Sequence, residues 1–562
     1  MRQMSALEIS ALVRELLGKR GIHTDDAITA FLQPDYSLHT HAPALLSGID
    51  TAVSRVLDAI SAGERIAIYA DFDCDGIPGA AVLSDFFAKI GYEHVEVYLP
   101  HRDREGYGFH TEAIQKLHDR GVKLIITVDV GTVAYDAVRY ANTLGVNVIV
   151  TDHHEIQAGI PDAIAVINPK IAPYPFPHLC GAAMAFKLVQ ALLAEGRKRG
   201  IENFLKIPDG WEKWLLDLVA IATVADMVPL VGENRALVHW GLQVLRKSPR
   251  PGISALCTKL RLRKNELTED DIGFSIAPRV NAASRMDEPM LAFELLTTRD
   301  AKRAEILAAE LEGLNTKRKG VVGAVVREAR KRIKDKFKKE DQVIVIGNPE
   351  WKPSLMGLAA NSIMGDRGGV VCMWGRDANG NLKGSCRSDG ALSIVDLFTE
   401  ARDSFIEFGG HSASGGFSVH HEKVHTLQED LAAAASRLVR KESEVAEHNY
   451  DALVTLREVA WPLYRDVSQL APFGMENKKP VFRITGLRIS GTKVFGKEKN
   501  HFEVTVVCST SGATARGFDF FRKAEEFSLP PVVGADAIIL ATIERDTFRG
   551  GLALRLVDVL PE

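Results

Sequence analysis

The chain has 562 residues, too many for one hydrophobic core, so several domains are expected. With 46% apolar and 25% charged residues it is composed like an ordinary globular protein, and a net charge of −4 leaves any nucleic-acid surface to local cation clusters rather than to a global basic field. Six scattered cysteines without a C-x-x-C pair argue against zinc sites and a disulfide framework. The longest apolar stretch, Trp214 to Leu230, is broken by Asp217 and Asp226, so no membrane span is expected and a cytoplasmic location is the default.

Residues 1–47 form an N-terminal segment without a recognisable motif. From Ala52 to Pro169 short apolar runs alternate with helical periodicity: strand Ile66 to Ala70, a helix after Gly76, strand His94 to Leu99, helix Thr111 to Arg120, strand Leu124 to Val128, helix Tyr135 to Leu144 and strand Val146 to Val150. This rhythm predicts a parallel, doubly wound sheet within a first domain over 48–240, with ligands beyond the carboxyl ends of the strands. Cys180 to Phe337 reads as helix throughout, with 241–340 as a helical connector closing in a basic run from Arg327. A second α/β rhythm occupies 341–445 and carries the glycine-rich stretches Lys383-Gly-Ser-Cys-Arg-Ser388 and Phe408-Gly-Gly-His-Ser-Ala-Ser-Gly-Gly416. Over 450–562 short alternating strands predict a small closed barrel of the OB type, whose phenylalanines interleave with arginine at Phe482-Arg483, Arg516-Gly-Phe518 and Phe521-Arg522; some of these rings must fill the barrel core, and an exposed minority can stack bases. The predicted fold class is therefore α/β: a parallel-sheet domain, a helical connector, a second α/β domain and a C-terminal OB-fold barrel.

Three strands of the first domain end in acid or imidazole: Asp71-Phe-Asp73-Cys-Asp75-Gly76, Asp129, and Asp152-His153-His154. Burying unpaired carboxylates costs several kcal/mol each, so such a cluster calls for a shared cation. Mixed carboxylate and imidazole donors suit Mg²⁺ or Mn²⁺, and alternate residues of an extended segment project to one side, so Asp73 and Asp75 are placed to serve two ions. Asp226 adds a lone charge in the apolar stretch Ala220 to Leu230. Each feature has a plainer reading, because His-His pairs are commonly solvated turns and single helical aspartates are commonly caps. The D-x-D-x-D-G string is no calcium loop, since Val82 stands where that loop needs its last glutamate. The coincidence of four features, three of them at strand ends, favours a metal site.

In this order the motifs resemble those of the DHH phosphoesterase superfamily, and among its members the bacterial single-strand-specific exonucleases. The likeness runs from about Gly48 to Glu562 and includes Arg102-Asp-Arg-Glu-Gly-Tyr-Gly108, Pro278-Arg-Val-Asn-Ala-Ala-Ser-Arg285 and Pro472-Phe-Gly474. The resemblance implies that Asp73, Asp75, Asp129, His153 and Asp226 hold two divalent ions, Mn²⁺ or Mg²⁺, with Asp129 bridging. Asp71 would be a ligand or its immediate neighbour, and His154 would stand beside the scissile phosphate. It implies that Arg102, Arg279, Arg285, Ser385, Arg387, Gly410 and His411 bind substrate. The expected activity is removal of mononucleotides from the 5′ end of single-stranded DNA in repair and recombination, by a monomer with a single-strand-binding protein and a helicase as partners. A small-molecule phosphoesterase of the superfamily, and a catalytically silent replication scaffold, are the rival readings. Three positions depart from the family pattern: Val130 in place of Asn, Ser284 in place of Gly, and Lys352 in a loop that usually carries His.

Overall fold

The computed structural model describes residues 9–157, 159–286, 288–338, 340–439, 449–496, 499–546 and 549–562, so Lys339 and the expected boundary at 445 lie outside the described residues. By internal contacts the chain divides into two units, His41–Val228 with Trp240–Ser443, and Met1–Thr40 with Pro229–His239 and Glu444–Glu562.

The larger unit holds two sheets. In the first, β1 (Arg65–Ala70), β2 (Val95–Tyr98), β3 (Val122–Val128), β4 (Asn147–Thr151) and β5 (Ala165–Ile167) run parallel in the order β2-β1-β3-β4-β5. The short strand β5 is an addition to the sequence-based expectation. Near-continuous β-branched and aliphatic runs form these strands because both faces are covered, and Ile66, Ile68, Leu124, Ile126, Val148 and Val150 are all fully buried. Register decides where the chemistry falls. Ala70 lies opposite Val128, Val128 opposite Thr151 and Thr151 opposite Ile167, so four strands end level with one another. One more rung extends the ladder: Asp71 N donates to Val128 O, Asp129 N to Thr151 O and Asp152 N to Ile167 O. The three aspartates are thereby aligned along the carboxyl edge of the sheet.

The helix Gly76–Lys89 starts immediately beyond the first acidic string and is buried along most of its length. Its small residues permit close approach of neighbours: a Cβ at Gly79 would meet Val128 Cγ1 at 2.5 Å and the Cα of Ala182 in helix Gly181–Lys198 at 3.0 Å. The second sheet, β6 (Val343–Gly347), β7 (Val370–Arg376), β8 (Leu382–Ser388), β9 (Phe405–Gly410) and β10 (Ser414–Val419), has the order β6-β7-β8-β10-β9 and is parallel only at β6–β7. The connector contains one 36-residue helix, Ala301–Lys336, about 54 Å long at 1.5 Å per residue. Its amino-terminal half packs on helices Pro251–Leu260, Ala277–Arg285 and Pro289–Thr297. Val325, Val326 and Ala329 in its other half join the core beneath the second sheet.

In the smaller unit β11 (Ala452–Leu453) pairs with β12 (Phe482–Phe495), which runs on to β13 (His501–Cys508), β14 (Thr514–Phe520), β16 (Leu552–Pro561) and β15 (Asp536–Arg545). The last of these pairs back onto β12, closing a five-strand barrel. Alternation along β12 and β13 turns Phe482, Ile484, Phe502, Val504 and Val506 inward, so Phe482 and Phe502 are core residues and not stacking surface. Val13, Leu16, Leu17, Ile28 and Leu32 from helices Ala11–Gly18 and Asp25–Leu32 share this core. Arg235, only 2% exposed, ties the parts together: it donates to the carbonyls of Phe31 at 2.7 Å, Leu470 at 3.0 Å and Ala471 at 2.8 Å, and its guanidinium lies 3.6 Å from the Phe31 ring centre. Arg235→Ala is expected to destabilise this unit by roughly 2–4 kcal/mol, because three buried carbonyls lose a charged donor. Hydrogen exchange at the Leu470 and Ala471 amides in increasing urea, accelerated in the variant, would report the loss.

Candidate metal centre and its cationic rim

The acidic string leaves β1 in a tight turn that commits part of its polar capacity to the backbone. Asp73 accepts from the N–H groups of Asp75 at 2.8 Å and Gly76 at 3.2 Å through Oδ1. A Cβ at position 76 would stand 2.3 Å from the Asp71 carbonyl, so only glycine fits. Both Asp75 oxygens are held by the first turn of helix Gly181–Lys198, Oδ2 by Gly181 N at 2.6 Å and Oδ1 by Ala182 N at 2.8 Å. That helix start offers backbone donors and a positive dipole end to a buried carboxylate. Asp129 adopts φ +60°, a left-handed conformation unfavourable for a non-glycine residue, and Gly181 is packed so closely that a Cβ there would meet Asp129 Cβ at 2.5 Å.

These turns bring together side chains from four parts of the chain. His153 Nε2 lies 3.1 Å from Asp129 Oδ1, 3.6 Å from Asp226 Oδ2 and 3.7 Å from Asp75 Oδ2. Three overlapping donor sets lie within ion-binding reach: Asp71, Asp73 and Asp129; Asp75, His153 and Asp226; and Asp129, His153 and His154. Asp129 belongs to two of them, as a bridging ligand would. The fit to a cation shows in the unsatisfied groups, because Asp71 Oδ1 and Asp129 Oδ1 are buried without a hydrogen-bond partner. Electrostatics point the same way. Burial and then Asp75 raise the Asp129 carboxyl far above its ordinary range, and burial with Asp73 raises Asp71. Burial and Asp73 push Asp75 up to about 6, and burial with Asp75 pushes Asp226 up to about 9. His153 is driven down to about 3 by burial and by the charge of His154, and so stays a neutral imidazole able to ligate. The four carboxyls are destabilised by their proximity unless positive charge is shared among them.

Asp152 has a different part. Its Oδ2 accepts from Thr132 N at 2.8 Å, and its Oδ1 from His153 N and from His154 Nδ1, both at 2.7 Å. Burial alone would lower His154, but the hydrogen bond and charge of Asp152 outweigh it and raise the imidazole pKa. Asn168 Nδ2 donates to the His154 carbonyl at 2.9 Å and to Thr132 Oγ1 at 3.0 Å, fixing the loop from beneath. His154 thus faces the cleft as an oriented imidazole whose proton affinity is raised. That cleft, about 220 Å³, is lined by Asp71, Phe72, Asp73, Arg102, Tyr107, Asp129, His154 and Asp226.

The residues expected to bind substrate divide into two groups. Arg102 lies over the Phe72 ring at 4.8 Å. Arg285 donates to Ser354 O at 2.6 Å and is pushed down to about 9 by burial and by the charges of Arg102, Arg318 and Arg387. Ser385 and Arg387 sit two apart on β8, with Cys386 between them turned into the core. Arg102, Arg285 and Arg387 therefore share one neighbourhood on the rim of the carboxylate cluster. Arg279 is instead bound to Glu312 at 2.8 Å. Gly410 and His411 form a β9–β10 hairpin in which a Cβ at Gly410 would meet Ser414 O at 2.3 Å, so the turn itself requires glycine. With the hydrogen-bonded Lys170 as the larger influence, His411 helps lower Glu155, the residue after His154.

Sequence reading assigned no role to Tyr107, whose hydroxyl is 3.2 Å from His154 Nε2, or to Asn281, whose Oδ1 accepts from Cys74 N at 3.0 Å and steadies the acidic turn. Both stand inside quoted motifs, but only folding brings them to the site. The departures from the family pattern have local explanations. Val130 packs in the sheet core while its carbonyl accepts from Thr127 Oγ1 at 2.6 Å. Ser284 is buried and bonded to Asn281 O at 3.3 Å, and Lys352 pairs with Asp103 at 3.0 Å.

Comparison with known proteins agrees with this architecture. Residues 65–223 match the DHH family, N-terminal domain, and residues 450–557 match the RecJ OB domain. The single-stranded-DNA-specific exonuclease RecJ of Salmonella typhimurium is 30% identical over 99% of this chain and 96% of its own length. The chain belongs to the RecJ family. The Bacillus subtilis RecJ is 33% identical over 91% of this chain, which spans 63% of that longer relative. The crystal structure of RecJ from Thermus thermophilus in complex with Mn²⁺ superposes with a TM-score of 0.81 at 27% identity, covering 99% of this chain and 77% of that one. Among the described residues no helix of this RecJ-family chain is long and apolar enough to cross a membrane.

Relief of carboxylate repulsion predicts that Mn²⁺ raises the melting temperature of the protein. The stabilisation should reach about 2.7 kcal/mol at a hundredfold excess over the dissociation constant. Asp226→Asn is expected to stabilise the metal-free protein slightly and to diminish the Mn²⁺-induced rise; calorimetry with and without the ion tests both.

Proposed function

We propose that this protein is a divalent-metal-dependent exonuclease that hydrolyses single-stranded DNA from its 5′ end, in DNA repair or recombination. In this reading Asp71, Asp73, Asp75, Asp129, His153 and Asp226 hold two Mn²⁺ or Mg²⁺ ions. When bound, the ions supply an activated water nucleophile and neutralise charge on the phosphodiester. The chain's own residues do the rest. Asp152 holds His154 through Nδ1 and favours its protonated form, so that the ring meets the phosphate and stabilises the charge that develops on it. Tyr107 closes that side of the cleft and keeps the imidazole from turning.

The observation that carries the 5′ polarity is the group Arg102, Arg285 and Arg387. Among the described residues none of the three lies within ion-pairing distance of a carboxylate; Arg285 and Arg387 bond to backbone carbonyls instead, and Arg285 is deeply buried. Three guanidiniums gathered at one place, two of them lowered first by burial and none closed into an ion pair, match a terminal phosphate dianion, which an internal phosphodiester is not. With Ser385 alongside, such a pocket holds the end of a strand against the carboxylate cluster and sets the unit of cleavage at one nucleotide. The barrel supplies exposed Phe520 and Phe521, with Arg555 4.5 Å from the Phe520 ring, for base stacking. A small-molecule phosphoesterase has no use for that surface, and an inert scaffold has no use for an intact donor set.

The test is incubation with Mn²⁺ of single strands labelled at either end. Mononucleotides should be released first from the 5′ end, and Asp129→Ala should lose activity by about a thousandfold, corresponding to several kcal/mol of lost charge stabilisation. Arg102→Ala should lose more activity on 5′-phosphorylated than on 5′-hydroxyl strands. Release from the 3′ end, or cleavage of dinucleotides alone, would refute the assignment.

A further inference from the structure

Building on the reading of the site as one that engages a nucleic-acid strand, we propose that the long helix Ala301–Lys336 carries a separate phosphate-binding site, formed by Arg318 and Lys319 beside Arg279, with Phe274 as an adjoining base-stacking platform. The helix then tracks the strand as well as joining the two sheets.

The charge pairing along this helix singles out its middle. Arg303 is matched by Glu294 at 2.6 Å, Arg330 by Asp366 at 2.6 Å, and Arg332 by Glu328. Arg318 has no such match among the described residues. Its NH2 donates to Oδ1 of the fully buried Asn315 at 2.9 Å, a neutral partner that orients the guanidinium without neutralising it, and its Nε is buried with no partner. The neighbours are cations. Burial and then Arg279 lower Arg318, burial and Arg279 lower the adjacent Lys319, and the charge of Arg318 contributes to the lowering of Arg285. The acid that faces this group, Glu312, is engaged by Arg279 at 2.8 Å. A half-buried guanidinium fixed in orientation, surrounded by like charge and short of anions, is costly to folding alone and suited to a phosphate oxygen.

The aromatic component lies on the same side. Arg279 NH1 donates to Ser275 O at 3.1 Å and so anchors the π-helical turn Ile272–Ile276, a geometry concentrated at functional sites. Phe274 projects from that turn with 78% of its surface exposed. At the other end of the turn, Gly273 approaches Val224, two residues before Asp226. The turn is thus tied by hydrogen bond to Arg279, the neighbour of Arg318, and an exposed ring near an unpaired guanidinium is the combination that single strands use.

Fluorescence anisotropy of the full-length, metal-free protein with oligothymidylates of about two and about twelve nucleotides tests the proposal, since a single-strand groove engages several nucleotides at once. Arg318→Ala and Lys319→Ala should weaken the longer strand about tenfold and reduce the salt dependence of binding by roughly 0.7 per lost phosphate contact, with the dinucleotide unaffected. Phe274→Ala should weaken the longer strand with the salt slope unchanged. Arg318→Lys, which keeps the charge, should retain most of the slope and shows that the helix still folds. Unchanged affinity and slope in Arg318→Ala, or an equal loss on both lengths, overturns the site, the latter assigning Arg318 to support of Arg285. Wild-type protein that binds no strand overturns the functional reading together with it.

Discussion

Repulsion among buried carboxylates is the constraint on which the rest of this structure depends. Asp71, Asp75 and Asp129 are each less than 5% exposed, and burial together with neighbouring carboxylates, Asp73 foremost for Asp71 and Asp75 and Asp75 for Asp129, raises the proton affinity of all three, an arrangement that folding alone would not retain. It persists because the surrounding fold over-determines it. Parallel register places four strand ends level, the start of helix Gly181–Lys198 grips Asp75 from one side, and glycines at 76 and 181 remove the Cβ atoms that would push the acids apart. Strain at Asp129, held at φ +60°, belongs to the same destabilisation. What the fold obtains in exchange is a preorganised cradle for cations.

Around this negative centre the protein sets a positive rim, and the two signs are kept apart by single layers of side chain. Arg102 lies on Phe72, the residue between two of the acids. Arg285 follows, then Arg387 on a strand of the other sheet. Opposite charges this close would ordinarily collapse into ion pairs, but packing forbids it: Arg285 is tied to the Ser354 carbonyl and Arg387 to that of Cys386 at 2.7 Å. Backbone carbonyls orient these guanidiniums without neutralising them. A chain with net charge −4 thus presents a strongly cationic surface at one place, by geometry and not by composition.

The long helix Ala301–Lys336 makes this arrangement durable. Arg279 and Arg285 come from the helix that packs on it, and Arg387 from the sheet packed on its far half, so the relative placement of rim cations is set by one continuous rod. Helices of this length hold direction over tens of ångströms, whereas a flexible linker would let the two sheets sample many separations.

The strand-end acids, the βαβ rhythm and the barrel were legible in the linear chain because local patterns encode them: apolar runs of strand length, punctuated by carboxylates, state both the element and its edge. The same locality marked Asp71, Asp73, Asp75, Asp129, His153 and His154 as one chemical group, and Asp226 as an oddity in an apolar helix. Long-range contact decided the rest. Which carboxylate orients a histidine depends on the register of β3 and β4, so Asp152 separated from its neighbours only once Thr132 and Asn168 were seen beneath it. Tyr107 and Asn281 reach the site from 47 residues away from His154 and 207 away from Cys74, distances at which no periodicity carries information. Whether an arginine is solvated, paired or left with free charge is likewise settled by what packs against it. That is why Arg279 and Arg285, two ends of one short motif, ended in different electrostatic circumstances.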